Sequence, residues 1–326
     1  MSRATRGRGE RPARPAQCGG EAAAARIGTR DSFVRSLATL TDAGGDRAVS
    51  NGDTRSFMRS LTAVTDVIGQ RFAPAPDARI VSLVPSITET LIALGLRAQT
   101  VGRTGFCIHP RDAVREIPKV GGTKDVKLDA VRALAPTHVI VNIDENEAPT
   151  VEALRRFVPH VVVTHPNAPQ DNLALYRLLG GLFGRAEAAQ AMCAALQAQL
   201  DALAGERWPP ETVLYLIWKD PWMTVAADTY IARSLAAVGW QVPHPPGGER
   251  GAGRYPRLDD LAAAVASVDR VLLSTEPYRF RERHAAALRP LGRPVDLIDG
   301  EWTSWYGVRA IEGLRRLAGF RRARLA

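Results

Sequence analysis

The apolar positions of the chain fall into short β-branched runs, each followed by a stretch with helical spacing. The first clear unit has an apolar run at residues 80–84 directly before Ser86-x-x-Glu89, which predicts a strand and a capping box that opens a helix. This helix is predicted to end at Gly95, and residues 138–141 restart a strand. Such an order is typical of a parallel sheet, which binds ligands beyond the carboxyl ends of its strands.

The same pattern continues along the chain and predicts two lobes. A long Ala- and Leu-rich segment, residues 187–204, would span roughly 27 Å as a helix, which suits either a bridge between two lobes or a simple packing helix. The other predicted strands are 161–164, 213–217, 271–274 and 295–298, and the other predicted helices are 128–134, 171–183, 229–238, 258–266 and 308–317. We therefore predict an α/β fold with two Rossmann-like lobes of mostly parallel strands, joined by one long backbone α-helix.

Polar loops follow the predicted strands of the first half and would converge on one cleft. They contain TGFCIHP at 104–110, VGGTK at 120–124 and NIDENE at 142–147. With RIVSLVPSITETL, VGGTKDVKLDAVRALAPTHVIV and the later WYGVR at 305–309, the chain resembles the periplasmic binding proteins for vitamin B12 and ferric siderophores, also called helical-backbone metal receptors. The resemblance covers about residues 62–320.

This resemblance implies a non-catalytic receptor, a monomer that closes on a corrinoid or iron-chelate ligand and hands it to the permease of an ABC importer. No cofactor is expected to be required, because any metal would arrive inside the ligand. A single rigid connecting helix permits only small hinge motion. The alternatives from other classes are a cytoplasmic enzyme that handles tetrapyrroles or metals with the same fold, and an intracellular ligand sensor.

Candidate ligand-binding residues come from the loops and strand ends that would face this cleft. Four tryptophans follow strand ends in the second half and would stack on a flat ligand, or alternatively cap the core of that lobe. The candidates in the first half are Ser86, Phe106, Cys107, His109, Thr123, Lys124, Asn142 and Glu145. Those in the second half are Trp218, Trp222, Trp302, Trp305, Tyr306 and Arg309.

Some of these residues carry a more specific chemistry. Cys107 and His109 offer a thiolate and an imidazole two residues apart, which suits an axial metal ligand, although Pro110 makes a structural turn the alternative. Lys124 and Arg309 would bind an anionic ligand group, or remain solvated surface cations.

The resemblance also implies a docking surface for the permease. Relatives of this kind carry an acidic residue on each lobe, usually Glu, that meets permease arginines. The matching helix starts hold Asp129 and the pair Asp259 and Asp260. Asp keeps the charge with a shorter reach, and acids at helix starts also stabilise the helix dipole, so both interpretations stay open.

Composition limits the other functional classes. The chain has 326 residues, 45% of them hydrophobic, and no apolar run long enough to span a membrane. The net charge of +9 is concentrated at the two ends of the chain, so we expect no nucleic-acid partner. Three scattered cysteines do not form a disulfide framework, and P-loop, dinucleotide and G-x-S-x-G motifs are absent from the sequence.

The N-terminal region is treated separately. Residues 1–57 are rich in Arg, Ala and Gly, without an apolar signal-peptide core or a lipoprotein motif, and are expected to be a disordered extension or a reading-frame artefact upstream of a start at Met58. The resemblance therefore implies a periplasmic location, whereas the missing signal in these residues favours a cytoplasmic one. The predicted domains are an N-terminal lobe (58–185), a connecting helix (186–206), a C-terminal lobe (207–320) and a basic tail (321–326).

Overall fold

The computed structural model describes residues 63–244 and 253–325. The N-terminal extension and Met58 lie outside the described residues. Among those that are described, no helix is both long and apolar enough to cross a membrane.

The N-terminal lobe is built around a four-stranded parallel sheet with the order β4-β3-β5-β6. A short antiparallel hairpin, β1 (Val64–Thr65) and β2 (Arg71–Phe72), precedes it. The sheet strands are β3 (Ile80–Ser82), β4 (Thr100–Arg103), β5 (His138–Asn142) and β6 (His160–Thr164). The helices are α1 (Pro85–Ala93), α2 (Arg111–Val114), α3 (Leu128–Ala133), α4 (Ala148–Arg155) and α5 (Asp171–Leu182).

One long helix, α6 (Ala186–Gly205), connects the lobes. Its 20 residues would extend about 30 Å. Gly184, with φ of +68°, provides the left-handed turn that separates α5 from α6 and lets the two helices pack side by side.

The C-terminal lobe repeats the layout with a five-stranded, mostly parallel sheet of order β11-β10-β7-β8, in which β9 also pairs with β7. Only β8 is antiparallel to its neighbour. The strands are β7 (Glu211–Trp218), β8 (Met223–Thr224), β9 (Trp240–Gln241), β10 (Arg270–Ser274) and β11 (Val295–Ile298). The helices are α7 (Tyr230–Ala236), α8 (Leu261–Ala266), α9 (Glu282–Leu288), α10 (Glu301–Ser304) and α11 (Arg309–Arg322).

These elements confirm the predicted fold class of two lobes with mostly parallel sheets. They also show a core that the lobes share: a single buried cluster runs from Leu91 on α1 through Leu196 on α6 to Tyr215 on β7 and Leu317 on α11. Two smaller clusters each belong to one lobe. Because the connecting helix is packed into the shared core, a change in the angle between the lobes would have to disturb that packing.

Two local predictions are wrong. Helix α1 has Val84 at its N-cap with no side-chain cap, so Ser86 and Glu89 do not form the capping box; Pro85 occupies the first turn instead. The predicted solvated basic tail is partly core, since α11 continues to Arg322 and Arg321 is only 2% exposed, paired with Glu211.

Candidate functional site

The carboxyl-edge loops of one lobe contact those of the other, and we call the region of this contact the cleft. His109, on the loop after β4, contacts Glu301 on α10 with 3.1 Å between Nε2 and Oε1. Glu145, on the loop after β5, accepts a hydrogen bond from the Tyr306 hydroxyl. Both sheets therefore direct their strand ends to one region, as parallel sheets do.

Behind the cleft, a short segment before α11 fastens the C-terminal lobe to the N-terminal lobe. The Gly307 carbonyl accepts a hydrogen bond from the Tyr176 hydroxyl at 2.8 Å, and its N–H donates to Asn172 Oδ1 at 2.6 Å. Val308 N–H donates to Thr90 Oγ1 at 3.0 Å. Because Asn172 and Thr90 are fully buried, these bonds are protected from water.

Arg309 extends this attachment and is not available for an anionic ligand, which corrects the prediction made from the sequence. Its Nε and Nη2 form a bidentate pair with Glu89 at 2.8 and 2.7 Å, and its Nη1 pairs with Glu301. The guanidinium also lies over the Trp305 ring, 4.8 Å from its centroid. All three contacts lock the side chain in a bridge between the lobes.

The four tryptophans predicted to line the cleft separate into different environments. Trp305 is 9% exposed, meets the His109 ring edge-on at 5.3 Å, and donates its indole N–H to Glu276 Oε1 at 2.7 Å. Trp302, in contrast, packs on α11, with its ring 6.0 Å from that of Phe320. The prediction that Trp302 faces the ligand is therefore wrong.

The other two tryptophans contact aromatic residues of their own lobe. Trp222 stacks on Phe280 with an interplanar angle of 6° and packs against the outer core of the C-terminal lobe. Trp218 meets Tyr278 edge-on at 5.6 Å and is partly buried. A role of either indole in ligand binding stays a prediction.

Cys107 is a core residue and not an exposed ligand. Its side chain is fully buried, and its Sγ lies 3.1 Å from the hydroxyls of both Thr88 and Thr104. Burial raises the pKa of the thiol, so the metal-binding thiolate is disfavoured. Within residues 63–244 and 253–325, no group of three or more His, Cys, Asp and Glu side chains could hold a metal ion. Of the predicted metal pair, only His109 lies at the cleft.

Three further predicted residues take part in the local structure of the first lobe, and a role of their side chains in ligand binding stays a prediction. Ser86 is buried in α1, and its carbonyl accepts from Thr90. Asn142 closes a turn onto the Asp144 N–H at 2.8 Å. The Thr123 carbonyl accepts from buried Asn146 at 2.9 Å, which fixes the loop that precedes α3.

Phe106 and Lys124 keep surfaces that a ligand could contact. Phe106 is 62% exposed, three residues before His109 in sequence, and lies close to Gly122. The Lys124 ammonium lies 3.4 Å from the Asp144 carbonyl oxygen, at the side of the cleft that holds Glu145.

Sequence reasoning missed several charged residues of the cleft. Glu276 and Glu301 lie within three residues of the ends of β10 and β11, and a search for polar residues after every strand would have found them. Asp144 pairs with His165 at 3.3 Å and with Arg254 at 3.4 Å. No local sequence pattern predicts a role for Arg254, which lies in the connection between β9 and α8.

Two carboxyls in the cleft have raised pKa values. Burial raises the pKa of Glu145 to about 7, an effect that the Tyr306 hydrogen bond opposes and the Asp144 charge reinforces. Burial likewise raises the pKa of Glu276, against hydrogen bonds from Ser304 and Trp305. Neither carboxyl forms an ion pair within the described part of the chain.

The acidic residues predicted to dock on a permease lie on the surface. Asp129 is 96% exposed and pairs with Arg132 at 3.0 Å. Asp260 caps α8 by accepting from the Ala263 N–H at 3.0 Å, and Asp259 is exposed beside it. Their local roles at helix starts are those expected of any acid there, and docking stays a prediction.

The fold and cleft define a two-lobed receptor of the kind whose lobes enclose a ligand between strand ends. The family model described as periplasmic binding protein matches residues 80–276, and the chain belongs to that family. Its relatives are binding proteins and not enzymes, and the expectation of a cytoplasmic location finds no support in this family.

Individual relatives are distant in sequence and similar in fold. The vitamin B12-binding protein of Vibrio campbellii is 24% identical over 237 residues, which are 72% of this chain and 78% of that protein. The periplasmic vitamin B12-binding protein BtuF of Vibrio cholerae superposes with a TM-score of 0.66 at 16% identity, over 77% of this chain and 98% of BtuF. The periplasmic heme-binding protein HutB of Vibrio cholerae superposes with a TM-score of 0.60 at 22% identity, over 75% of this chain and 98% of HutB.

Proposed function

We propose that this protein is a receptor that clamps a corrinoid or an iron chelate in the cleft between its lobes and delivers it to an ABC importer. The observation that carries the proposal is the contact of Trp305 with His109, in which an aromatic ring from each lobe meets the other at 5.3 Å. A flat ligand would displace this ring contact and pack against both rings. The names of the relatives, which include vitamin B12- and heme-binding proteins, support the same ligand class.

The surrounding residues support this interpretation. Exposed Phe106 adds an aromatic ring to the loop that carries His109, and we propose that Trp218, which contacts Tyr278, adds to the aromatic surface of the other lobe. The His109 imidazole is the one predicted metal ligand at the cleft, and its Nε2 is engaged by Glu301. An arriving metal would compete with Glu301 for this nitrogen, which gives His109 the role of an axial ligand.

The test is a titration followed by tryptophan fluorescence and ligand absorbance, with cyanocobalamin, cobinamide and hemin as probes. We expect saturation near one equivalent. Trp305→Phe keeps an aromatic ring, although a smaller one, and loses the indole N–H, and Trp305→Ala should weaken binding by about 1 to 3 kcal/mol. Trp302→Phe is the matched control, because Trp302 lies three residues away and packs on α11.

Equal losses of affinity in the Trp302 and Trp305 variants, at unchanged melting temperature, would contradict the placement of the site. Binding of none of the three probes would reject the proposed function. His109→Ala tests the axial ligand separately: the bound ligand should change its absorption spectrum, while the metal-free variant should melt normally.

The partner proposed for delivery is the permease of an ABC importer, with the exposed carboxylates of Asp129 and Asp259 as contacts. Reversal of both charges with Asp129→Arg and Asp259→Arg should abolish uptake in cells while ligand affinity in solution stays unchanged. Uptake at the normal rate would exclude this surface. We propose a monomer in solution, which sedimentation of the purified protein would test.

A further inference from the structure

The strongest unexplained feature of the cleft is a pair of carboxyls without counter-ions. Glu145 stands on the N-terminal lobe and Glu276 on the C-terminal lobe, and the charge of Glu276 acts on Glu145 across the cleft. Isolated carboxylates in a partly buried site are costly unless a proton, a cation or hydrogen-bond donors approach them. Two such carboxylates in a ligand-binding cleft are therefore expected to be stabilised by groups of the bound ligand.

Each carboxyl has one oxygen occupied and one oxygen without a partner. The Tyr306 hydroxyl donates to Glu145 Oε1, while the Ser304 hydroxyl and the Trp305 N–H both donate to Glu276 Oε1, at 2.6 and 2.7 Å. Within the described residues, Oε2 of each side chain accepts no hydrogen bond. The bonds to Oε1 fix both side chains, and the free oxygens are ready to accept donors.

The arginines of the cleft, in contrast, are already engaged. Arg309 is bound by Glu89 and Glu301. Arg254 is shared among Asp144, Asp228 and the Asn167 side chain. Lys124 is the cation whose charge acts on Glu145, and it is drawn toward the Asp144 backbone. An anionic ligand would therefore meet the free carboxyl oxygens of Glu145 and Glu276, which accept hydrogen bonds, although it needs groups that donate them.

We infer that Glu145 and Glu276 select the ligand by charge, admitting a chelate whose rim carries amide N–H groups or positive charge and disfavouring one that carries carboxylates. This inference rests on the proposed function and narrows it. Among the two ligand classes, it favours a corrinoid, with its rim of amide side chains, over a haem with free propionates. The free Oε2 atoms accept amide N–H groups, whereas propionates would place like charges together.

The sharpest test uses two porphyrins that differ only in charge: iron protoporphyrin with free propionates, and the same porphyrin with both propionates converted to amides. At pH 8, above the raised pKa of Glu145, we expect the amide form to bind about tenfold more tightly, and cobinamide to bind at least as well as the amide form. The double variant Glu145→Gln with Glu276→Gln keeps both Oε1 acceptors and removes both charges. It should bring the ratio between the two porphyrins close to one.

The control is Glu116→Gln, a loss of charge at an exposed glutamate outside the cleft, which should leave the ratio unchanged. Equal or tighter binding of the propionate form by the unchanged protein would overturn the inference while leaving the proposed function intact. So would a preference that survives in the double Gln variant. Failure of both porphyrins and of cobinamide to bind would reject the proposed function itself, and the inference with it.

Discussion

The back and the front of the boundary between the lobes differ in how their polar groups are paired. At the back, around Gly307 and Asn172, every hydrogen-bonding group of Asn172 has a partner: Gly307 N–H at 2.6 Å, the Pro169 carbonyl at 2.8 Å and the Tyr230 hydroxyl at 3.1 Å. At the front, Glu145 and Glu276 are half-buried and form no ion pair within the described residues. A network in which every hydrogen-bonding group has a partner holds the two lobes in one arrangement. Carboxyls without a counter-ion are tolerated where a bound ligand supplies their missing partners.

This contrast predicts that changes at the back reduce stability and changes at the front alter binding. The shared core along α6 supports the same view, because the two lobes cannot separate at the back without exposing it. The four predictions below test the contrast at single residues.

Gly307→Ala should have the largest effect. Gly307 has φ of +72°, and an added Cβ would lie 2.1 Å from Thr90 Oγ1 and 2.8 Å from the Ser86 carbonyl oxygen. The lobes would have to move apart, so we expect a loss of roughly 3 to 5 kcal/mol in unfolding free energy, measured by urea denaturation. Gly319→Ala, in α11 with open space around it, should instead stabilise by about 0.5 to 1 kcal/mol. Equal changes in unfolding free energy for the two variants would contradict close packing of the lobes around Gly307.

Arg309→Ala should come next, at roughly 2 to 3 kcal/mol, because it leaves Glu89 partly buried with no counter-ion and leaves Glu301 with His109 alone. The control is Arg315→Ala, whose pair with Glu312 is exposed to solvent and whose loss should have a much smaller effect on stability. A loss at Arg309 no greater than at Arg315 would place Arg309 among ordinary surface arginines.

Glu145→Gln should stabilise the protein at high pH. The pKa of Glu145 rises from 4.5 to about 7 on folding, so ionisation opposes the folded state. This cost is absent below the unfolded pKa, grows as pH rises between the two values, and is complete above pH 7. We expect the Gln variant to gain roughly 1 to 2 kcal/mol at pH 8 and almost nothing at pH 4, by denaturation at both pH values. A gain that is independent of pH would show that the Glu145 charge is not its cause.

Cys107→Ala and His109→Ala should separate a core residue from a cleft residue, with the smallest effects of the series. Cys107 is fully buried, so its truncation should cost about 1 kcal/mol. His109, with its side chain 32% exposed, should cost less than about 0.5 kcal/mol and change ligand binding instead. The premise from the sequence that both residues occupy an exposed loop is wrong for Cys107; a stability loss confined to His109 would reverse that correction.

The strand and helix series could be predicted from the sequence because each element depends on local chemistry. The β-branched runs produce strands, and Gly95, Gly184 and Gly239 adopt positive φ where the pattern predicts that a helix ends. The site could be predicted only as a region, since parallel strands direct their following loops to the same edge. Trp302 and Trp305 show the limit: both follow β11, yet α10 ends at Ser304 and Trp305 continues in extended backbone, so one ring meets α11 and the other meets His109.

The sequence by itself determined the two-lobed α/β fold, the connecting helix and the edge at which the cleft forms, because hydrophobic spacing and turn residues act over a few neighbouring positions. The tertiary structure decided which charges are neutralised and which remain free. Glu89 is predicted from the sequence to form part of a cap, and it binds Arg309, 220 positions away. Glu145 is predicted only as a ligand-binding loop residue, and it lies half-buried where the charge of Glu276 acts on it. Burial and counter-ions depend on residues distant in sequence, and they determine which of the polar side chains at the cleft can bind a ligand.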